Sequence, residues 1–380
     1  MIYKILMLTT NASLMDGINR HILTIAPVLN SMSDCQVAVC TVFPKSDLAV
    51  ALEAKGVRTF SLNCSNGHDF KIFTRFNKVM NMYNPNIVHS HVMAIFERIV
   101  LATCFRKVKY INTIHGISDE IEHKTFRIRL ESVLTRLFPI SYSAECYVSN
   151  GVRQHFLPNI KALKGVYTIY NPIKFSETFG KQYNLHEEIG VSKETRIIGT
   201  ACRFAKVKNP VAFTKTMCMV LKSKEDVHAA VMGDGDKKLK TDLCKIVDGD
   251  GVSNRFHWLG YRQDAPSLVR DFDCFVMTSI SEGMPTSVLE AMSNKTPFAM
   301  MDGDGGLKDI AEINKNEGPI GIVVSKGDVK SMANEICALL DNKPQKEQMA
   351  DRAYIIGKKY FDVDSVCEKI CKVYKEICER

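Results

Sequence analysis

The chain has 380 residues, 46% apolar and 24% charged, which is too long for one ordinary open-sheet domain and suits two soluble cores. No apolar run reaches the roughly eighteen residues of a transmembrane helix, and the N-terminal MIYKILMLTT lacks the basic stretch and cleavage site of a signal peptide. The formal charge of +8 is concentrated, with eleven Lys or Arg against five Asp or Glu between Lys71 and Arg136, and such a basic face suits anionic partners.

Taken in order, short apolar runs predict strands at Tyr3–Leu8, Gln36–Val42, Asn86–His89, Tyr110–Ile114, Cys146–Ser149 and Tyr167–Ile169. Helical periodicity predicts Ile18–Leu29, Phe70–Met82, Val92–Phe105 and Thr125–Phe138 between them. A polar stretch over Asn171–Thr195 marks a seam. Beyond it strands are predicted at Arg196–Ala201, His228–Met232, Phe256–Leu259, Cys274–Met277, Pro297–Met300 and Gly321–Val324. Helices are predicted at Pro210–Leu221, Thr286–Ser293, Val329–Leu340 and Val363–Cys378. Alternation of continuous apolar strands with helices predicts an α/β protein built on two doubly wound parallel sheets. Two such domains are expected to leave a cleft at the C-terminal ends of their strands, where open α/β sheets bind ligands.

The thirteen cysteines are odd in number and scattered, several of them inside predicted strands (Cys40, Cys146, Cys202, Cys274), and no Cys-x-x-Cys pair occurs. They read as small buried apolar residues, which implies a reducing cytoplasm. Asp271 and Asp273 spell Asp-x-Asp beside a predicted buried strand and read as a helix-to-strand junction. His89 and His91 stand at a strand end with no third ligand candidate nearby in the sequence. No metal and no cofactor are expected.

The most informative segment is SISEGMPTSVLEAMSNKTP, Ser279–Pro297. A buried strand runs into a turn holding Glu282 and Gly283, Pro285 is expected in the first turn of a helix, and the amides of Thr286, Ser287 and Val288 would form an anion site. Glu282 and Glu290 could accept hydrogen bonds from sugar and ribose hydroxyls. In ACRFAKVKNP, Ala201–Pro210, Arg203 and Lys208 would emerge at a strand's C-terminal end. Fixed cations there suit an anionic ligand.

The Glu-Gly-x-Pro-x-x-x-x-Glu-Ala-Met frame, with Arg203 and Lys208 five residues apart, resembles the signature of family 4 glycosyltransferases of the GT-B fold. The resemblance runs from Gly17 to the last helix. It implies an acceptor-binding Rossmann-like domain over residues 1–175, a donor-nucleotide domain over 176–360, and a helix over 361–380 that crosses back to the first domain. It further implies a metal-independent, retaining hexosyltransferase that uses a nucleoside-diphosphate sugar, a UDP-sugar by expectation, in cell-surface polysaccharide synthesis of the lipopolysaccharide or capsule kind. Arg203, Lys208 and Glu282 would be catalytic, and His115 in the INTIHG element would lie near the transferred sugar, unless it is a histidine satisfied by a backbone carbonyl. Donor contacts would come from Gly17, Gly233, Gly235, Tyr261, Arg262, Gly283, Met284, Pro285, Thr286 and Glu290. Asp16 stands where relatives carry a first glycine, and Lys295 replaces a glycine usual after the Glu290 helix. Asp304–Gly306 resembles a Gly-Gly loop beside the donor sugar.

The expected acceptor is a glycan or a lipid-linked sugar. The stretch His123–Phe138 mixes four basic residues with apolar ones, as either an amphipathic core helix or a surface for anionic lipid at the inner face of the cytoplasmic membrane. Nucleic acid is not expected, for want of any nucleic-acid module. A sugar-nucleotide epimerase or a non-catalytic binding subunit would share the two-domain pattern. Release of nucleoside diphosphate only with acceptor separates the first, and the intact set of Arg203, Lys208, Glu282 and Glu290 speaks against the second.

Overall fold

The computed structural model describes residues 2–10, 16–44, 47–66, 69–92, 106–117, 142–156, 165–175 and 184–379. The chain divides into two units, Met1–Pro172 with Val363–Arg380, and Ile173–Asp362.

The first unit is a seven-stranded parallel sheet in the order β3-β2-β1-β4-β5-β6-β7. Its strands are β1 (Tyr3–Thr9), β2 (Cys35–Thr41), β3 (Arg58–Ser61), β4 (Ile87–Ser90), β5 (Lys109–Ile114), β6 (Tyr142–Tyr147) and β7 (Val166–Thr168). Side chains alternate between faces, so Ile5, Met7, Val37 and Val39 meet helices Gly17–Ser31 and Val363–Glu379, while Leu6, Leu8, Ala38 and Cys40 meet helix Ile72–Tyr83. Both faces are covered, which is why these strands read as unbroken apolar runs. β3 went unforeseen because RTFS is short, polar and paired on one side only. β6 ends two residues before the predicted Ser149, whose hydroxyl instead accepts from Val152 N–H (3.1 Å) and starts helix Asn150–Phe156.

The second unit holds a six-stranded parallel sheet ordered β10-β9-β8-β11-β13-β15. Its strands are β8 (Arg196–Ala201), β9 (Val227–Met232), β10 (Phe256–Gly260), β11 (Cys274–Met277), β13 (Phe298–Met301) and β15 (Ile322–Val324). Two short segments, β12 (Ser281–Glu282) and β14 (Asp304–Gly305), pair beside it in parallel. Phe213, Met217, Leu221, Val276, Met332 and Ile336 share its largest core.

In each sheet the strand order reverses once, between β1 and β4 and between β8 and β11. Loops leaving the C-terminal ends of such a strand pair diverge to opposite faces and leave a crevice. The twelve described cysteines are free thiols. The predicted helices Val92–Phe105 (beyond Val92) and Thr125–Phe138, and the stretch His123–Phe138 with its proposed lipid contact, lie outside the described residues. Among the described residues no helix is long and apolar enough to cross a membrane.

Candidate active site

Three loops at the switch point of the second sheet are bonded into one structure. After β8 the chain alternates outward and inward: Arg203 is exposed and Phe204 is buried. Phe204 N–H donates to the Asp234 carbonyl (2.9 Å) and its carbonyl accepts from Asp236 N–H (3.1 Å). Gly233 and Gly235 permit this approach, since a Cβ on Gly233 would stand 1.8 Å from the Cys202 carbonyl oxygen and one on Gly235 2.7 Å from that of Phe204. Lys208 closes a single 3-10 turn, Lys206–Lys208, and Asn209 follows in the left-handed region (φ 46°). Its side chain then caps helix Pro210–Ser223, with Pro210 in the first turn where its missing N–H costs nothing.

The loop after β11 is laid onto that turn. The buried Thr278 hydroxyl donates to the Asn209 carbonyl (2.9 Å), and Ile280 N–H donates to that of Val207 (2.8 Å). On its other side Asp304 N–H donates to the Ile280 carbonyl (2.9 Å), and Glu282 stands opposite Gly305 in the β12–β14 ladder. Gly306 allows the contact, because a Cβ there would fall 2.6 Å from the Gly283 carbonyl oxygen.

The result brings Lys208 and Glu282 together. Lys208 Nζ donates to both carboxylate oxygens of Glu282, at 2.6 and 2.7 Å, with the two side chains 27% and 10% exposed. Charge-assisted bonds of this length, partly shielded from water, hold both groups in one geometry. The Arg203 guanidinium makes no ion pair with a described residue.

Other predicted donor residues fall unevenly. Met284 is buried, Thr286 exposed, and Gly283 and Glu290 half-buried. Pro285 precedes helix Thr286–Ser293 as its cap and is not in its first turn. The chain enters so tightly that Thr286 N–H donates to Met284 O (2.8 Å) and Val288 N–H to Pro285 O (2.9 Å). Of the three amides expected to bind an anion, that of Ser287 alone lacks a described partner. Tyr261 is 50% exposed. Arg262 is held in a fork by Asp264 (2.8 Å to each oxygen) and by Glu188, which raises its already high basicity and leaves it a scaffold for its loop. Asp304 sits between Lys308 and Lys326, each at 3.3 Å. Asp271 and Asp273 are spent on the amides of Leu185 and Ile197 (3.0 Å each), the junction role read from the sequence. Lys295 has φ 54°, so this helix exit is left-handed and Lys295 bears the strain a glycine would avoid.

In the first unit, Asp16 caps helix Gly17–Ser31, its carboxylate accepting from Ile18 N–H (2.9 Å), which gives the acid at this position a structural role. A Cβ on Gly17 would meet nothing within 4 Å. Around the C-terminal ends of β4 and β5 four histidines gather. His89 stacks on His91 (ring centroids 4.4 Å) and is satisfied twice, at 2.7 Å from the Tyr374 hydroxyl and 2.7 Å from that of Thr113. His91 Nδ1 lies 2.9 Å from His115 Nε2, so among the described residues the partner of His115 is an imidazole. The third member, His21, comes from helix Gly17–Ser31, correcting the expectation that no further ligand stands near. Its signal lay in the helical period, which puts His21 beside Ile22 and Ile25 on the buried side. Burial opposes the charged form of all four: His21 titrates at about 4 and His89 at about 3, and His91 and His115 are lowered well below their usual value.

Residues 15–177 match the family model described as Glycosyltransferase Family 4, and residues 181–355 match Glycosyl transferases group 1. The chain is 24% identical over 310 residues to the UDP-Gal:alpha-D-GlcNAc-diphosphoundecaprenol alpha-1,3-galactosyltransferase of Escherichia coli, covering 76% of this chain and 74% of that one. It is 21% identical over 374 residues to the N,N'-diacetylbacillosaminyl-diphospho-undecaprenol alpha-1,3-N-acetylgalactosaminyltransferase of Campylobacter jejuni, covering 92% and 94%. Among solved structures, a glycosyltransferase from Rickettsia africae superposes with TM-score 0.82 at 18% identity, covering 100% and 99% of the two chains. Anabaena HepE in complex with UDP gives 0.80 at 19%, covering 98% and 100%.

Proposed function

Because the chain belongs to the family 4 glycosyltransferases, with the two parallel-sheet units of their GT-B fold, we propose that it moves a sugar from a UDP-sugar to a glycan or undecaprenyl-diphosphate-linked acceptor. The product is a cell-surface polysaccharide or its lipid-linked precursor, and the anomeric configuration is retained. The bacterial relatives named for diphosphoundecaprenol acceptors, and HepE with its UDP, support this choice of substrates.

The observation that carries the reading is the Lys208–Glu282 pair, drawn from two signature segments and fixed within a loop assembly that also presents Arg203. In this reading the donor diphosphate binds Arg203 and competes with Glu282 for Lys208. The carboxylate so released accepts hydrogen bonds from the sugar hydroxyls, and Glu290 serves the ribose. As the bond from the anomeric carbon to the diphosphate oxygen breaks, charge grows on the leaving group and the two cations stabilise it. The acceptor oxygen bonds to the same face, and its proton passes to the departing phosphate oxygen. With Arg203 and Lys208 in this role, no metal is needed at the diphosphate. The first unit takes the acceptor, with His115 as a contact, and residues 123–138 attach the enzyme to the inner face of the membrane.

Lys208→Ala and Glu282→Ala test the assignment. Turnover with a UDP-sugar and an undecaprenyl-diphosphate-linked acceptor should fall by about 10²–10³, the cost of losing one transition-state contact. Unchanged turnover in both variants would sink it. UDP release without any acceptor would point to hydrolysis or epimerisation.

A further inference from the structure

We propose that His21, His91 and His115 form a binding site for a divalent transition metal of the zinc class. One ring nitrogen from each lies within 4.8 Å of the other two. The rings are mutually close, with centroids 5.4 Å apart for His21 and His91, 5.0 Å for His21 and His115, and 5.2 Å for His91 and His115. They come from three segments that meet at the switch point of the first sheet: the helix after β1, the loop after β4 and the loop after β5.

Two buried nitrogens here, His21 Nδ1 and His91 Nε2, have no hydrogen-bond partner. Leaving a buried polar atom unpaired costs about 1–3 kcal/mol, so a cluster with two such atoms calls for a ligand. A cation can take such a nitrogen, because a neutral imidazole nitrogen offers a lone pair and each ring gives the metal one. Burial keeps these imidazoles in that neutral form at physiological pH.

The donor set selects the metal. Three imidazoles without a carboxylate or thiolate suit zinc, cobalt, nickel or copper, whereas magnesium and calcium require oxygen. Ligand nitrogens around tetrahedral zinc stand about 3.3 Å apart, as bonds of about 2.0–2.1 Å dictate. The cluster therefore closes by ring rotation, and the 2.9 Å bond between His91 and His115 gives way to coordination. His89, stacked on His91 and bonded to Tyr374 and Thr113, holds the platform and is not itself a ligand. Three protein ligands leave a fourth position for water or a hydroxyl. Metal binding here is independent of the transferase reading. If His115 serves the acceptor, zinc competes with that role and slows transfer.

The test uses the full chain, stripped with a chelator and titrated with Co²⁺. The wild type should show the visible absorption of four-coordinate cobalt, displaced by Zn²⁺, and Zn²⁺ but not Mg²⁺ should raise the melting temperature. His21→Ala and His91→Ala should each weaken cobalt binding at least tenfold. His257→Ala should not, because it alters a separate histidine pair, with His228 at 2.8 Å, in the second unit. Where an alanine variant fails to fold by circular dichroism, His21→Gln replaces it. A wild type without the cobalt spectrum, an unchanged spectrum in the His21 and His91 variants, or its loss in His257→Ala would each overturn the proposal.

Discussion

The buried Thr278 hydroxyl donates to the carbonyl oxygen of Asn209 at 2.9 Å, and through it the loop that ends in Glu282 is fastened to the turn that ends in Lys208. Asn209 holds a left-handed backbone there, and its carbonyl serves both the Thr278 hydroxyl and Ala212 N–H (3.1 Å) of the helix it caps. Thr278→Val keeps the shape and deletes the donor. Stability should drop by about 0.5–1.5 kcal/mol, the net worth of one hydrogen bond where the Asn209 carbonyl keeps Ala212 N–H as a donor, and kcat/KM should fall with it. Chemical denaturation and steady-state rates on one preparation check both, and a variant as stable as wild type would show that the strap carries nothing.

A double-mutant cycle isolates the pair itself. Lys208→Met and Glu282→Gln each strand a half-shielded partner, whereas the double variant strands neither. The two stability losses should therefore be non-additive by about 0.5–3 kcal/mol, the range for residues in direct contact. Additive losses by urea denaturation would mean that the pair makes no net contribution.

Two glycines should behave oppositely. Gly233→Ala drives a methyl group to 1.8 Å from the Cys202 carbonyl, so the Arg203 loop must move. A loss of several kcal/mol and weaker UDP binding by calorimetry are expected, in line with strain at a special backbone position. Gly17→Ala enters open space at a helix start. Its stability should stay within about 0.5 kcal/mol of wild type, and its rate then reports whether backbone approach at Gly17 matters to the donor.

Histidine burial sets a pH dependence for the metal-stripped chain. The folded values of His21 and His89, about 4 and about 3, lie below the usual value of 6.5. Between those limits the unfolded chain binds more protons than the folded one, so stability falls as pH drops below 6.5. Each buried histidine adds about 1.4 kcal/mol per pH unit within its window. Melts from pH 7.5 to pH 5 should show the loss, and His89→Gln should reduce the slope by one proton. A slope unchanged in that variant would contradict the assignment.

If Arg203 and Lys208 alone neutralise the diphosphate, as proposed, a chelator should leave the transfer rate undiminished. Added zinc should slow it through the histidine cluster. Activity abolished by chelation and restored by Mg²⁺ or Mn²⁺ would reverse the first statement.

Much of the molecule is local, and local features are legible in a chain of letters. Apolar runs bounded by polar turns placed β1, β8 and β11, because a strand covered on both faces cannot avoid apolar residues on either. The spacing of Arg203, Lys208, Glu282 and Glu290 named the family, because loops at strand ends carry their chemistry in a few consecutive positions. Tertiary structure alone decided the rest. That Lys208 grips Glu282 follows from bonds between loops more than seventy residues apart, and that His21 joins His91 and His115 follows from strand order. That the amides of Thr286 and Val288 are already taken depends on a turn geometry that Pro285 permits without announcing. Composition and periodicity report what each segment buries, whereas which segments become neighbours, and which polar atoms then find partners, is settled only when the sheet closes over them.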